Sequence, residues 1–233
     1  MNKRTEPPGD PINVYFHEAL LIGGEATRLY LIRHAQSQGN TGEDLTTGDP
    51  DLTDVGWEQA RRLCERLKSQ RIHRVYASPL RRTLQTASAI ADASGLEVLP
   101  KADLREVELG QADYDIRLLP EKERAKVARL IMSEGTWDAF PGSEGSEVAR
   151  NRVRGVIREI VNDHPGERLA VVAHAAFIQT FVSVVLGLQR DFVFYPFNAS
   201  ITSVRAKDGR FVLWRLNDIA HLDGMPAGFG GIS

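Results

Sequence analysis

Arg33 and His34 end a short apolar run, and a second histidine, His174, ends another run of the same kind far downstream. A neutral imidazole can attack phosphorus and carry the phosphoryl group covalently. The charge on the equatorial oxygens then needs fixed donors. Arginine suits this because its planar, permanently charged fork offers two parallel hydrogen bonds. Asn40, in the polar turn after His34, and the second histidine add neutral donors. The leaving oxygen needs a proton, so a carboxylic acid belongs nearby. A lone histidine at a strand end more often just marks where the strand meets water. The pair points to phosphoryl transfer only if the chain brings both ends to one rim.

The surrounding pattern predicts that it does. "RLYLIR" reads as a short buried parallel strand. Thr53 offers an N-cap for a helix over about 54–69 with Ala60, Leu63, Cys64 and Leu67 on one face. "HRVYAS" is a second strand. Ser78 and Pro79 then read as N-cap and first residue of a helix that turns Leu80, Leu84, Ala87 and Ala91 inward and stops at Gly95. "LEVLP" is a third strand, and 118–134 reads as a helical insert. A helix with Val153, Val156, Ile157, Ile160 and Val161 on one stripe runs to Pro165–Gly166. "RLAVVAH" is a buried strand with a helix directly behind it, and "ASITSVRAKDGRFVLWRL" is a hairpin across Asp208–Gly209. Strands alternating with helices predict an α/β fold, three layers α/β/α around a mainly parallel mixed sheet. Ligands bind beyond the carboxyl ends of such strands, where Arg33, His34 and His174 all lie.

Composition sets the outer bounds. A chain of 233 residues accommodates one sizeable domain, or at most two small ones. Net charge −2 provides no overall basic field for nucleic acid, so any anion site must be made locally. One cysteine, Cys64, excludes an internal disulfide and reads as a packed thiol. The N-terminal "MNKRTEPPGDPINVYF" lacks an apolar secretory segment, and no run approaches the roughly 20 apolar residues that span a bilayer. The expectation is a cytoplasmic protein without a membrane partner. Residues 1–27 read as a partly flexible extension in which "VYFHEALLIGGEA" stays unplaced, 28–222 as the domain, and 223–233 as a tail.

Six stretches, in order, resemble motifs of the histidine phosphatase superfamily, also called phosphoglycerate mutase-like. "LIRHAQSQGN" resembles L-x-R-H-G-x-(S/T)-x-x-N, "DLTDVGWEQA" resembles P-L-T-x-x-G-x-x-Q-A, and "SPLRRTLQTA" resembles S-x-L-x-R-A-x-Q-T-A. "LREVELG" is similar to L-x-E-x-x-F-G, "VVAHAAFI" to V-S-H-G-G-x-I, and "LNDIAHL" to L-N-D-x-A-H-L. The resemblance implies a phosphoglycerate mutase-like fold and a phosphohistidine nucleophile at His34. It also implies a phosphate pocket of Arg33, Arg82 and His174 with Asn40 as a further donor, and Glu106 as general acid. Arg82 rather than Arg81 takes the arginine's place, being four residues after Ser78; neighbours on a helix point about 100° apart, so one of them faces the pocket. Three departures stand out: Ala35, the pair Ala175–Ala176, and "LGQADYD" where F-G-x-W-E-G is usual. Alanine preserves the space but not glycine-only backbone angles.

The resulting expectation is a phosphomonoester hydrolase that acts on a small phosphorylated substrate, with no metal and no cofactor. About 30 residues separate Gly110 from Pro141, shorter than the insert that closes over mutase sites, and a segment over about 111–140 lines the entrance. Mutase-type phosphoryl transfer is the alternative, and a phospho-ligand binder without turnover a second one, motivated by the three alanines. A homodimer is left open.

Overall fold

The computed structural model describes residues 11–22, 25–43, 48–110 and 119–225. Six strands form one sheet: β1 (Thr27–Arg33), β2 (Arg74–Ala77), β3 (Val98–Pro100), β4 (Arg168–Ala173), β5 (Ile201–Lys207) and β6 (Arg210–Asp218), in the order β3-β2-β4-β1-β5-β6. The first four in that order are parallel, and β5 and β6 add the antiparallel hairpin. Among the described residues seven α-helices surround the sheet: α1 (Pro11–Ala19), α2 (Gln38–Thr41), α3 (Asp54–Lys68), α4 (Arg81–Ser94), α5 (Glu121–Ser133), α6 (Ser146–Asp163) and α7 (Ala175–Leu186). The fold is the expected three-layer α/β/α arrangement.

Strand parity explains the two cores. Leu29 and Leu31 of β1 pack with Ile157, Ile160, Phe177 and Phe181 under α6 and α7. Tyr30 and Ile32 point to the other face, where Leu63, Ala87 and Ile90 of α3 and α4 cover them. Because the middles of β1 and β4 are covered on both faces, Leu29–Ile32 and Leu169–Ala173 run without a charged residue, and Arg33 and His174 follow where those runs end.

Two sequence expectations are corrected. α4 begins at Arg81 with Leu80 as its N-cap, so Ser78 caps nothing; its hydroxyl is used elsewhere. The buried stripe of α4 is Thr83, Thr86, Ala87, Ile90 and Ala91, with Leu84 only half-buried. Thr83 and Thr86 can go inside because each hydroxyl donates to a carbonyl, Ser78 or Leu80 for the first and Arg82 for the second. α1 starts at Pro11, inside the stretch read as an extension, and runs into the first part of the unplaced "VYFHEALLIGGEA". It is tied to the hairpin by Arg210 and Arg205, which donate to the carbonyls of Ala19 and Leu21. Residues 1–10, 111–118 and the tail from 226 lie outside the described residues. Cys64 is half-buried on α3.

α3 is stapled to the turn after His34. The Thr53 hydroxyl accepts from the Gly56 amide and donates to Gln36 Oε1, and the Thr53 amide donates to the Gln36 carbonyl. Gly56 makes this approach possible: a Cβ there would overlap the Gln36 carbonyl oxygen, which is backbone and cannot swing away. Gly56→Ala is therefore expected to cost about 1–3 kcal/mol of stability. An unchanged denaturation midpoint would show that the turn yields freely.

Candidate active site

The C-terminal ends of β1 and β4 place His34 and His174 side by side, with ring centroids 5.4 Å apart and planes at 61°. Both are buried, as is Arg33. His34 Nδ1 lies 2.8 Å from the Ala35 carbonyl. A carbonyl only accepts, so Nδ1 carries the hydrogen and Nε2 keeps its lone pair. Burial, followed by the charges of Arg33 and Arg82 and the neighbouring His174, holds the His34 pKa well below its usual value, and the ring is neutral.

The turn that carries this ring is fixed by partners distant in sequence. The Ala35 amide donates to Thr86 Oγ1 at 3.0 Å, and the Gln36 amide to Gln59 Oε1 at 2.8 Å. Asn198 Nδ2 donates to the His34 carbonyl and to Asn40 Oδ1. Asn40 Oδ1 also accepts from the Ser37 amide and hydroxyl, so the donor capacity of Asn40 resides in its Nδ2.

Arg33 is anchored through one arm. Its Nη1 donates to the Pro196 carbonyl at 2.8 Å and to the Tyr195 hydroxyl at 3.3 Å, while its Nε is buried with no protein partner. An orphaned guanidinium nitrogen beside a neutral, buried imidazole is what an oxyanion would satisfy. Arg82 Nη2 lies 3.4 Å from His174 Nδ1, and His174 Nε2 lies 2.9 Å from Ser78 Oγ. Arg82 is 14% exposed and Arg81 58%, with Arg81 paired to Asp51 in solvent, so Arg82 faces the site. Burial, then Arg82, lowers the His174 pKa well below the usual histidine value.

Glu106 lies at the N-terminus of α7. Its carboxyl oxygens accept from the amides of Ala176, Phe177 and Val107 at 2.9–3.2 Å. Burial nonetheless raises its pKa above the usual carboxylate value, against those three hydrogen bonds and the pull of Arg33. Arg152 fixes the loop beneath: it pairs with Glu144 and donates to the carbonyls of Asp103, Arg105 and Glu106.

All six residues singled out in the sequence thus meet at or beside one rim. Sequence reasoning missed the residues that hold them: Thr86, Gln59, Ser78, Arg152 and Asn198. The motif "LNDIAHL" belongs to this support as well. Asn217 binds the Tyr195 carbonyl and the Phe197 amide, and His221 Nε2 contacts the Ala199 carbonyl. The three alanine departures are harmless to the backbone: Ala35, Ala175 and Ala176 all avoid positive φ. Gly110 does need its glycine, with φ 62° and the backbone of Pro141 and Gly142 against it.

The buried histidines give stability a pH dependence. Unfolded histidines take up protons as pH falls through the ordinary value of 6.5, whereas His34 and His174 resist until lower pH. Stability is full above 6.5 and falls below it, by up to about 1.4 kcal/mol per pH unit for each ring. His34→Gln is expected to show a smaller loss of melting temperature between pH 7.5 and pH 5.5 than the wild type. An equal loss would mean that His34 is protonated in the native state.

Comparison with known proteins follows the same line. The profile of the histidine phosphatase superfamily (branch 1) matches residues 29–219. Phosphoserine phosphatase 1 of Hydrogenobacter thermophilus is 31% identical over 199 residues, covering 84% of this chain and 94% of that protein. Phosphoglycerate mutase-like protein 4 of Arabidopsis thaliana is 32% identical over 211 residues, covering 87% and 91%. Among solved structures, phosphoglycerate mutase from Bacillus anthracis superposes with TM-score 0.71 over 85% of this chain and 96% of that one, at 23% identity, a likeness of fold. No helix among the described residues is long and apolar enough to cross a membrane.

Proposed function

The chain belongs to the histidine phosphatase superfamily, and from that premise we propose that it hydrolyses phosphomonoesters of small molecules through a phosphohistidine on His34. The observation that carries the reading is the 2.8 Å contact of His34 Nδ1 with the Ala35 carbonyl, which leaves the Nε2 lone pair free among Arg33, Arg82 and His174. Nε2 attacks phosphorus and the P–O ester bond breaks. Glu106, its pKa raised by burial, gives its proton to the departing oxygen. Water then attacks the phosphohistidine and returns a proton to Glu106. The P–N bond breaks, and phosphate leaves a neutral imidazole behind. Arg33 and Arg82 hold the equatorial oxygens throughout, joined by the Asn40 amide and His174.

The relatives' names suggest where to begin with substrates. Phosphoserine and 3-phosphoglycerate head a panel of esters, and mutase activity is assayed with a bisphosphate primer. The short stretch between Gly110 and Pro141 favours hydrolysis over return transfer. The negative φ of all three alanines favours turnover over simple binding.

His34→Ala is expected to lower kcat/KM for p-nitrophenyl phosphate by about 10⁴-fold or more with the fold intact by circular dichroism. Retention of a few per cent of activity would remove His34 from the chemistry. Glu106→Gln is expected to slow alkyl phosphates by about 10²-fold or more and p-nitrophenyl phosphate far less, since an activated phenolate leaves without a proton. Equal losses on both would take the acid role from Glu106.

A further inference from the structure

A second cluster of cations lies away from the catalytic rim. Between the C-terminal half of α3 and the β1–β5–β6 part of the sheet is a cavity of about 230 Å³ lined by Arg28, Arg66, Arg205 and Arg215. Asp218 is the only carboxylate among its lining residues. The chain as a whole carries net charge −2, whereas these lining residues sum to a local formal charge of +3 (four arginines less one aspartate). A cation in the last turn of a helix accounts for Arg66 alone. The other three arginines lie on three different strands.

The groove is shaped by irregularity in the hairpin. Ser203 pairs with Arg215 and Val204 with Leu213, so β6 carries an extra residue at Trp214. Consecutive residues of a regular strand point to opposite faces, but this bulge brings both Trp214 and Arg215 to the cavity. The Arg205 guanidinium stacks 3.7 Å from the Trp214 ring centroid and is thereby held in place. Arg28 and Arg205 stand opposite each other across β1 and β5, and burial together with the Arg28 charge lowers the Arg205 pKa. Asp218 is shared between Arg66 and Arg215, and Arg66 Nε is buried without a protein partner. Guanidinium groups outnumber carboxylates four to one, as in a site that awaits an anion.

We propose that this groove is a second anion site, which takes a small phosphorylated molecule bearing two or more negative charges. It is separate from the rim: Arg28 and Arg33 lie about 17 Å apart along β1. It does not depend on the catalytic reading.

The test is a titration of the full chain with methylenediphosphonate, which has no ester bond to cleave, followed through the indole N–H signal of Trp214 and assigned with Trp214→Phe. Saturable movement of that signal is expected. Arg28→Gln and Arg215→Gln should each weaken the Trp214-reported affinity by at least about tenfold. Asp218→Asn, which removes the sole carboxylate, should tighten it, a gain that misfolding cannot mimic. Turnover of p-nitrophenyl phosphate by Arg28→Gln without added bisphosphonate should stay within about twofold of wild type, since one charge-assisted contact in the groove is not part of the rim. A Trp214 signal that does not move, or the same affinity in all three charge variants, would overturn the proposal. An inactive His34 rim would leave the groove measurement intact, so the two readings fail separately.

Discussion

A histidine can serve as a nucleophile only while it is neutral and its reactive nitrogen is uncovered; burial with the charges of Arg33 and Arg82 keeps the His34 ring neutral, and the hydrogen bond from its Nδ1 to the Ala35 carbonyl leaves Nε2 uncovered. That carbonyl belongs to the residue after His34, so ring orientation depends on the conformation of a turn. The turn is in turn held by Thr86 through the Ala35 amide, by Gln59 and Thr53 through Gln36, and by Asn198 through the His34 carbonyl. Four residues from three parts of the chain, α4, α3 with its N-cap, and the segment before β5, thus converge on one turn. Gly56 and the buried threonines of α4 follow from the same requirement, since each allows an element to come close enough to contribute.

Electrostatics adds a second constraint. Arg33, Arg82 and two imidazoles share a small buried volume, and like charges there raise the free energy of the empty site. Each cation is consequently steadied at its edge rather than neutralised. Arg33 rests on the Pro196 carbonyl and the Tyr195 hydroxyl, and Arg82 lies 3.7 Å from Asp49. The loop around Tyr195 needs its own support, which Asn217 supplies from the end of β6. A motif near the C-terminus therefore bears on the site through a backbone loop and without contact to the reacting atoms.

What the sequence disclosed follows the physics of periodicity. Strands such as "RLAVVAH" were legible because burial on both faces demands an unbroken apolar run, and α6 was legible because its stripe recurs at helical spacing. The α4 stripe was misread because threonines look polar in sequence, yet they bury freely once their hydroxyls find carbonyls. Ser78 resembled an N-cap because a serine before a proline usually is one, whereas its hydroxyl faces His174 from across the sheet. The bulge at Trp214 left no trace either. Such features are single long-range hydrogen bonds or register slips and have no period to detect. Family motifs pointed to His34, Arg82 and Glu106, but gave no reason for the glutamines and threonines that hold the turn.

The carboxyl of Glu106 shows how opposing terms are combined. Three amides, two of them at the start of α7, favour the anion, as does Arg33, yet burial outweighs them and favours the acid. A group balanced in this way responds to small changes in local potential. In the proposed reaction an arriving phosphomonoester brings negative charge to Arg33, offsetting the cation that pulls the Glu106 pKa down. Its proton affinity then rises in the complex that needs a proton delivered. Once the alcohol has left, the same three amides stabilise the carboxylate that remains, and that carboxylate can accept a proton from water. In the proposed reaction, helix dipole, burial and substrate charge together suit one glutamate to act as acid and then as base without moving.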